Sequence, residues 1–131
     1  MTNKLHIKKV DFHAAHYLSP KFDKCYHLHG HTYTFEDIVI ETEGVVDFST
    51  IKQTLTRADH TLLVPEKDVE FWAGIDELVE CPCAILPFPI KGDETTVEAI
   101  SQVFKEALLR VKGVKAVSFK LYETLNSGME L

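Results

Sequence analysis

Val10-Asp-Phe-His-Ala-Ala-His16, followed after a short gap by Cys25-Tyr-His-Leu-His29-Gly-His31, decides how this chain is read. Alternate side chains of an extended strand share a face, so Val10, Phe12, Ala14 and His16 form one largely apolar row. The same parity sets His29 and His31 on one face, with Gly30 between them leaving room for backbone or ligand to approach. A His-x-His pair alone reads most simply as a polar pair on the wet side of a strand. Here it comes with His16 on a core-facing row, and a buried neutral imidazole needs a partner; a metal ion is one. Three imidazoles without an evident fourth ligand match a catalytic zinc, which keeps one position open for water or substrate. Cys25 is then free to do chemistry. The chain has 7 His. His13 and His27 have opposite strand parity to their neighbours and His6 lies too early, so they are read as non-ligands.

Outward from this stretch, parity gives a first strand from Leu5 to Leu18 and a second from Thr32 to Thr42, stopped at Glu43-Gly44. Phe35 and Val39 fall on one row and Ile38 and Ile40 on the other, so a bulge near Glu36-Asp37 is expected to reset the register. Ser19 to Asp23 reads as a loop from its turn residues. Ser49 is placed to cap a helix from Thr50 to about Ala58, with Ile51 and Leu55 on one face. Glu80 to Phe88 reads as a short strand stopped by Pro87 and Pro89. Thr95 or Thr96 caps the best helix: Val97, Ile100, Val103, Phe104 and Leu108 recur at helical spacing, and Gly113 supplies the stop. Val114 to Glu123 alternates as a final strand, followed by a turn at Asn126-Ser-Gly128 and a stub. This order predicts an α+β fold with helices on one face of an antiparallel sheet.

The 131 residues, with no repeat, linker or low-complexity tract, fit one domain over 1–131. At 45% hydrophobic and 26% charged the composition is that of an ordinary soluble domain. No apolar run is long enough for a membrane span, and the N-terminal residues lack a signal-peptide core, so a cytoplasmic location is expected. The 3 Cys do not suggest a disulfide scaffold; Cys81 and Cys83 have no second Cys pair to complete a metal site and are read as strand residues. A net charge of −6 without a basic cluster argues against nucleic acid, and no basic amphipathic helix suggests a membrane surface.

Two further pieces could carry chemistry. Asp59-His60 is a commonplace surface pair, yet it precedes Thr-Leu-Leu-Val, where the chain turns back toward the core. A His near a thiolate can shuttle protons, with a carboxylate orienting its tautomer. Thr95-Thr96-Val97-Glu98 is a near capping box and is explained by that role alone. Glu123, at a strand end, is a position that is ordinarily solvated.

Taken together these residues resemble the 6-pyruvoyl-tetrahydropterin synthase family, which includes the 6-carboxytetrahydropterin synthases of queuosine synthesis. The resemblance runs through Phe12-x-Ala-Ala-His16, Cys25-x-x-x-His29-Gly-His31, Val46-Asp47-Phe48, Asp59-His60, Thr96-x-Glu98 and Glu123-Thr124, in the family's order and over nearly the whole chain. The spacing from Cys25 to His29 looks like the carboxytetrahydropterin branch. The resemblance implies a tunnelling-type (T-fold) antiparallel sheet with two helices, oligomerising into a barrel as a homo-hexamer of two trimers, with active sites at subunit interfaces. It implies Zn2+ held by His16, His29 and His31, Cys25 as general base, and Asp59 and His60 completing a proton relay. Glu123 would grip the guanidine-like edge of a pterin, with Thr96 and Glu98 lining the pocket. The implied substrate is 7,8-dihydroneopterin triphosphate, cleaved to 6-carboxy-5,6,7,8-tetrahydropterin, acetaldehyde and triphosphate. A pyruvoyl synthase, an aldolase-like activity on dihydroneopterin, and a pterin- or metal-binding oligomer without turnover remain as alternatives. The chain departs from the family pattern in having Thr95 and Ala99 where Pro and Asn are usual, Val64 where Asn is usual, and a long stretch from Pro65 to Lys91.

Overall fold

Two long strands carry the architecture of the computed structural model, which describes residues 2–78, 80 and 82–131. β1 (Thr2–His16) and β2 (His29–Glu43) pair antiparallel in one unbroken register, from Thr2 against Glu43 to His16 against His29. Both begin or end a few residues beyond the alternating sequence. β-Branched and aromatic residues fit the pleat, and the long pairing places the candidate ligands of both strands at one end of the hairpin.

The expected bulge is present. The β2 register against β5 (Val114–Tyr122) shifts between Glu36 and Val39, and Asp37 adopts a left-handed φ of 49°. Tyr33 and Phe35 are therefore buried before the bulge, and Ile38 and Ile40 after it. Without that extra residue, one half of β2 would turn its apolar row to solvent.

The sheet has six strands in the order β4-β3-β1-β2-β5-β6, completed by β3 (Thr61–Pro65), β4 (Pro87–Ile90) and β6 (Gly128–Glu130). The expectation of an antiparallel sheet holds for β1, β2, β5 and β6. β3 lies parallel to β1, however, and β4 parallel to β3, so the sheet is mixed. β3 shows no alternation because Leu62, Leu63, Val64 and Pro65 are all buried; a parallel strand covered on both faces reads as a continuous apolar run. The strand expected from Glu80 to Phe88 instead spans Pro87–Ile90. Cys83 lies exposed in a bend before it, and Cys81 falls outside the described residues.

Helices α1 (Phe48–Leu55) and α3 (Val97–Leu109) pack on each other and on the sheet. The cap of α1 is Asp47 rather than Ser49: its carboxylate accepts the Ser49 N–H at 2.8 Å, and the helix stops short of Ala58. Thr96 caps α3, accepting from the Ala99 N–H at 3.3 Å, while Ile100, Phe104, Ala107 and Leu108 form its buried stripe. Gly113 ends the connection with φ 92°, where its carbonyl accepts the Glu43 N–H at 2.7 Å; a side chain there would crowd the Glu43 carbonyl oxygen at 3.0 Å. A third helix, α2 (Val69–Leu78), and a 3-10 turn at Glu66–Asp68 occupy the long Pro65–Lys91 stretch and touch β4. No residue of α2 is fully buried, so its sequence carries no sharp apolar stripe.

Between sheet and helices Phe12 stacks on Tyr33 at 4.9 Å, and Phe35 meets Phe104 and Phe119 edge-on at 5.2 and 5.3 Å. Aromatic pairs in these geometries add to the gain from area burial. This cluster lies directly under the His16–His31 end of the hairpin and holds it in place: the Tyr33 ring meets those of His16 and His31 at 6.1 and 5.6 Å.

Candidate metal centre and its surroundings

His16 is the last residue of β1 and His29 the first of β2, paired directly across the hairpin; Ala14 faces His31. The three imidazoles form a nearly equilateral triangle, with ring centroids 4.6, 4.9 and 5.0 Å apart. Each offers a ligand atom within 4.8 Å of the others.

Hydrogen bonds fix two of the tautomers. His16 Nδ1 lies 3.0 Å from the Thr95 carbonyl oxygen, and a carbonyl only accepts, so Nδ1 carries the proton. His29 Nδ1 likewise donates to the His27 carbonyl at 2.6 Å. In the neutral form of either ring this leaves the Nε2 lone pair for a ligand. Backbone carbonyls are the usual outer partners of metal-bound His.

Nε2 of His16 is fully buried and makes no aligned hydrogen bond. Oε1 of Glu123, in the turn after β5, lies 3.1 Å from that atom and 3.1 Å from Nε2 of His31. A carboxylate facing an unprotonated nitrogen is repulsive unless a proton or a metal ion stands between them. The His16 imidazole first, then His31 and the other rings, holds the Glu123 carboxyl below the usual range against the opposing effect of burial. Burial in turn lowers the His31 pKa, disfavouring imidazolium there. A carboxylate beside two imidazole Nε2 atoms, with two Nδ1–H groups held by carbonyls, is a donor set that fits a divalent metal of the zinc type.

The other expected residues are distributed around this centre. Cys25 is half-buried in a 3-10 segment (Pro20–Tyr26) between the two ligand strands, its carbonyl accepting the Leu18 N–H at 2.9 Å. Asp59 and His60 form the turn into β3. Oδ1 of Asp59 accepts the His13 N–H at 2.8 Å, and the His60 N–H donates to the His13 carbonyl at 2.7 Å. This clamp onto β1 holds His60 at a left-handed φ of 61°. Oδ2 of Asp59 pairs with His60 Nδ1 at 3.0 Å, leaving the other ring nitrogen outward on a side chain that is 80% exposed. The His13 hydrogen bond, chiefly, keeps the Asp59 carboxyl below its usual range. Among the described residues no hydrogen bond joins the Cys25 thiol to Asp59 or His60. Thr96 is engaged in the helix cap, and Glu98 is exposed in the first turn of α3.

Two grooves meet at Gly30, His31 and Thr32. One, of about 650 Å³, runs past Lys9, Thr34, Glu123 and Thr124; the other, of about 420 Å³, runs past His13, His60 and Thr61. A side chain at Gly30 would meet the Ala14 carbonyl oxygen at 3.6 Å, an ordinary contact, so packing does not demand glycine at this junction. A separate cavity of about 870 Å³ near Val45 and Lys112 contains none of the candidate residues.

The sequence reading passed over Thr95 and Tyr17. Thr95 is completely buried and touches His16 through its carbonyl and, at 3.2 Å, its hydroxyl. Tyr17 follows the first ligand and hydrogen-bonds to Asp68 and Trp72 of the long insertion, at 2.6 and 2.8 Å. Burial, then Asp68, pushes its phenol up to about 12. Adjacency to His16 was the available signal for Tyr17. For Thr95, a capping role had already accounted for the residue.

A mixed sheet backed by helices, with three imidazoles at one end that could hold a metal ion, defines an α+β protein. The chain belongs to the 6-pyruvoyl tetrahydropterin synthase family, whose sequence profile matches residues 6–131; it is a member of an enzyme family of tetrahydropterin synthases. A 6-carboxy-5,6,7,8-tetrahydropterin synthase from Rickettsia typhi is 24% identical over 95% of this chain and 96% of that protein. A Pyrococcus abyssi protein given the same name provisionally is 28% identical, over 92% of this chain and 85% of its own length. The crystal structure of 6-pyruvoyl tetrahydropterin synthase from Plasmodium vivax shares the fold, with a TM-score of 0.62 at 17% identity over 100% of this chain and 97% of that one. No helix among the described residues is long and apolar enough to cross a membrane.

Proposed function

We propose that this chain is a zinc-dependent lyase that converts 7,8-dihydroneopterin triphosphate and one water into 6-carboxy-5,6,7,8-tetrahydropterin, acetaldehyde and triphosphate. The observation that carries the reading is the His16–His29–His31 triangle, with two Nδ1–H groups held by carbonyls and the Glu123 carboxylate 3.1 Å from Nε2 of His16 and of His31. The names of the Rickettsia and Pyrococcus relatives support the carboxy branch.

His16, His29 and His31 would hold the zinc, which when bound supplies Lewis acidity toward oxygens of the substrate side chain. Glu123, on the wall of the larger groove, would accept paired hydrogen bonds from the amino-pyrimidine edge of the pterin, with Thr96 and Glu98 contributing to the pocket. Cys25 would act as general base. His60 lines the smaller groove beside His31 and would pass a proton from its outward nitrogen, with Asp59 fixing its tautomer. Cys25 and His60 are not joined within one chain, which favours a relay completed between neighbouring subunits. The free edges of β4 and β6 give the sheet two places to pair with other copies, consistent with a hexameric barrel of two trimers. Such an enzyme would serve queuosine-type synthesis in the cytoplasm.

Mass spectrometry of products from zinc-loaded protein and 7,8-dihydroneopterin triphosphate tests the reading. Carboxytetrahydropterin with acetaldehyde is expected. A product retaining the whole side chain would assign a pyruvoyl synthase, a shortened alcohol side chain an aldolase-like activity, and absence of turnover a binding role.

A further inference from the structure

We propose that Thr95 is a positioning residue for His16, and that Tyr17 links it to the α2 segment. This rests on the reading of His16 as a metal ligand.

The Thr95 hydroxyl donates to the Tyr17 carbonyl at 2.9 Å. Its proton is thereby committed, and its oxygen lone pairs remain for His16 Nδ1, 3.2 Å away. The same Nδ1–H faces the Thr95 carbonyl at 3.0 Å. One residue therefore presents two acceptors to one ring N–H, and a flipped ring or the other tautomer would satisfy neither. Both His16 and Thr95 are at 0% exposure, so water does not readily replace a missing partner at the imidazole.

Tyr17 gives the arrangement its second anchor. Its carbonyl receives the Thr95 hydroxyl, while its phenol donates to Oδ2 of Asp68 at 2.6 Å and accepts from Trp72 Nε1 at 2.8 Å. The backbone just after the ligand is thus held from two sides, by the residue preceding the α3 cap and by the Pro65–Lys91 insertion. On this account α2, which buries no residue completely, contributes to the metal corner through a hydrogen-bonded chain rather than through core packing.

The test is metal affinity by chelator competition with Zn2+, the visible spectrum of the Co2+-substituted protein, and thermal unfolding of the metal-free chain. Thr95→Val keeps the shape and the carbonyl but removes the hydroxyl; it is expected to bind zinc roughly tenfold more weakly, at the lower end of what loss of an outer partner costs, and to shift the Co2+ bands. Thr95→Ser keeps the hydroxyl and is expected to stay close to wild type in both readouts. Tyr17→Phe is expected to weaken binding by less than Thr95→Val. Wild-type affinity and spectrum in Thr95→Val would overturn the proposal, as would Thr95→Ser behaving like the valine variant, which would make methyl packing the cause. Wild-type affinity in Tyr17→Phe would remove the link to α2. Should valine prevent folding, Thr95→Ala against Thr95→Ser makes the same comparison. A wild-type chain that takes up no metal would instead sink the metal-centre reading itself, and this proposal with it.

Discussion

The imidazole triangle and the Asp59–His60 turn meet the end of β1 at His16 and His13, yet they are built in opposite ways. His16 is wholly buried, its Nδ1–H held by Thr95 and its Nε2 directed inward. His60 is 80% exposed, tied to Asp59 in a left-handed turn, with its second nitrogen in solvent. The triangle is preorganised by a single chain, because both ligand strands pair in one register and outer hydrogen bonds set the tautomers. The turn is fixed in its backbone, and among the described residues no hydrogen bond joins it to Cys25. On the proposed function the triangle would be a metal site within one subunit and the turn part of a relay between subunits, and the two would fail differently when perturbed.

The largest expected effect lies at the triangle. His29→Ala should weaken metal binding by more than about 100-fold, since losing a ligand costs more than losing an outer partner, and turnover should go with it. Retained stoichiometric metal, measured by elemental analysis after dialysis, would dissolve the contrast by showing that the triangle is not the binding site. Next comes Cys25→Ala, expected to lower kcat by about 10²–10⁴, the range for general acid–base groups, with metal content unchanged. If metal is lost in that variant, the thiol is a ligand and belongs with the imidazoles.

The smallest effect is the acid titration of the turn. The His13 N–H, chiefly, depresses the folded-state pKa of Asp59. A depressed carboxyl contributes stability above its unfolded pKa, about 3.9, and loses it as pH falls through the lower folded value. Asp59→Asn should therefore flatten the decline in stability below about pH 4. The effect will be small because the side chain is 38% exposed and solvent-screened. Acid unfolding curves that superimpose for the two proteins would remove Asp59 from the clamp.

Much of this was legible in the sequence because parity in a long hairpin is a simple code. Phe12, Ala14 and His16 on one row, His29 and His31 on another, and the bulge at Asp37 all follow from which side chains must be buried. The α3 helix was legible for the same reason, its stripe being both apolar and regular. β3 was hidden because burial on both faces erases alternation, and α2 because a helix at the sheet's edge needs no complete stripe. Asp47 displaced Ser49 as the α1 cap because both are good capping residues close in sequence, and only backbone geometry separates them. Tyr17 and Thr95 were hidden for another reason. Their contacts span 78 and 79 positions along the chain, and no local pattern encodes them.

Trp72 is the chain's single tryptophan, and its indole N–H ends on the phenol of the residue next to His16. The molecule thus carries its own optical reporter. Emission from one indole reads the hydrogen bond between Trp72 and Tyr17, so changes in how the α2 segment meets the residue after β1 can be followed in the unlabelled protein, in real time, without attaching a dye.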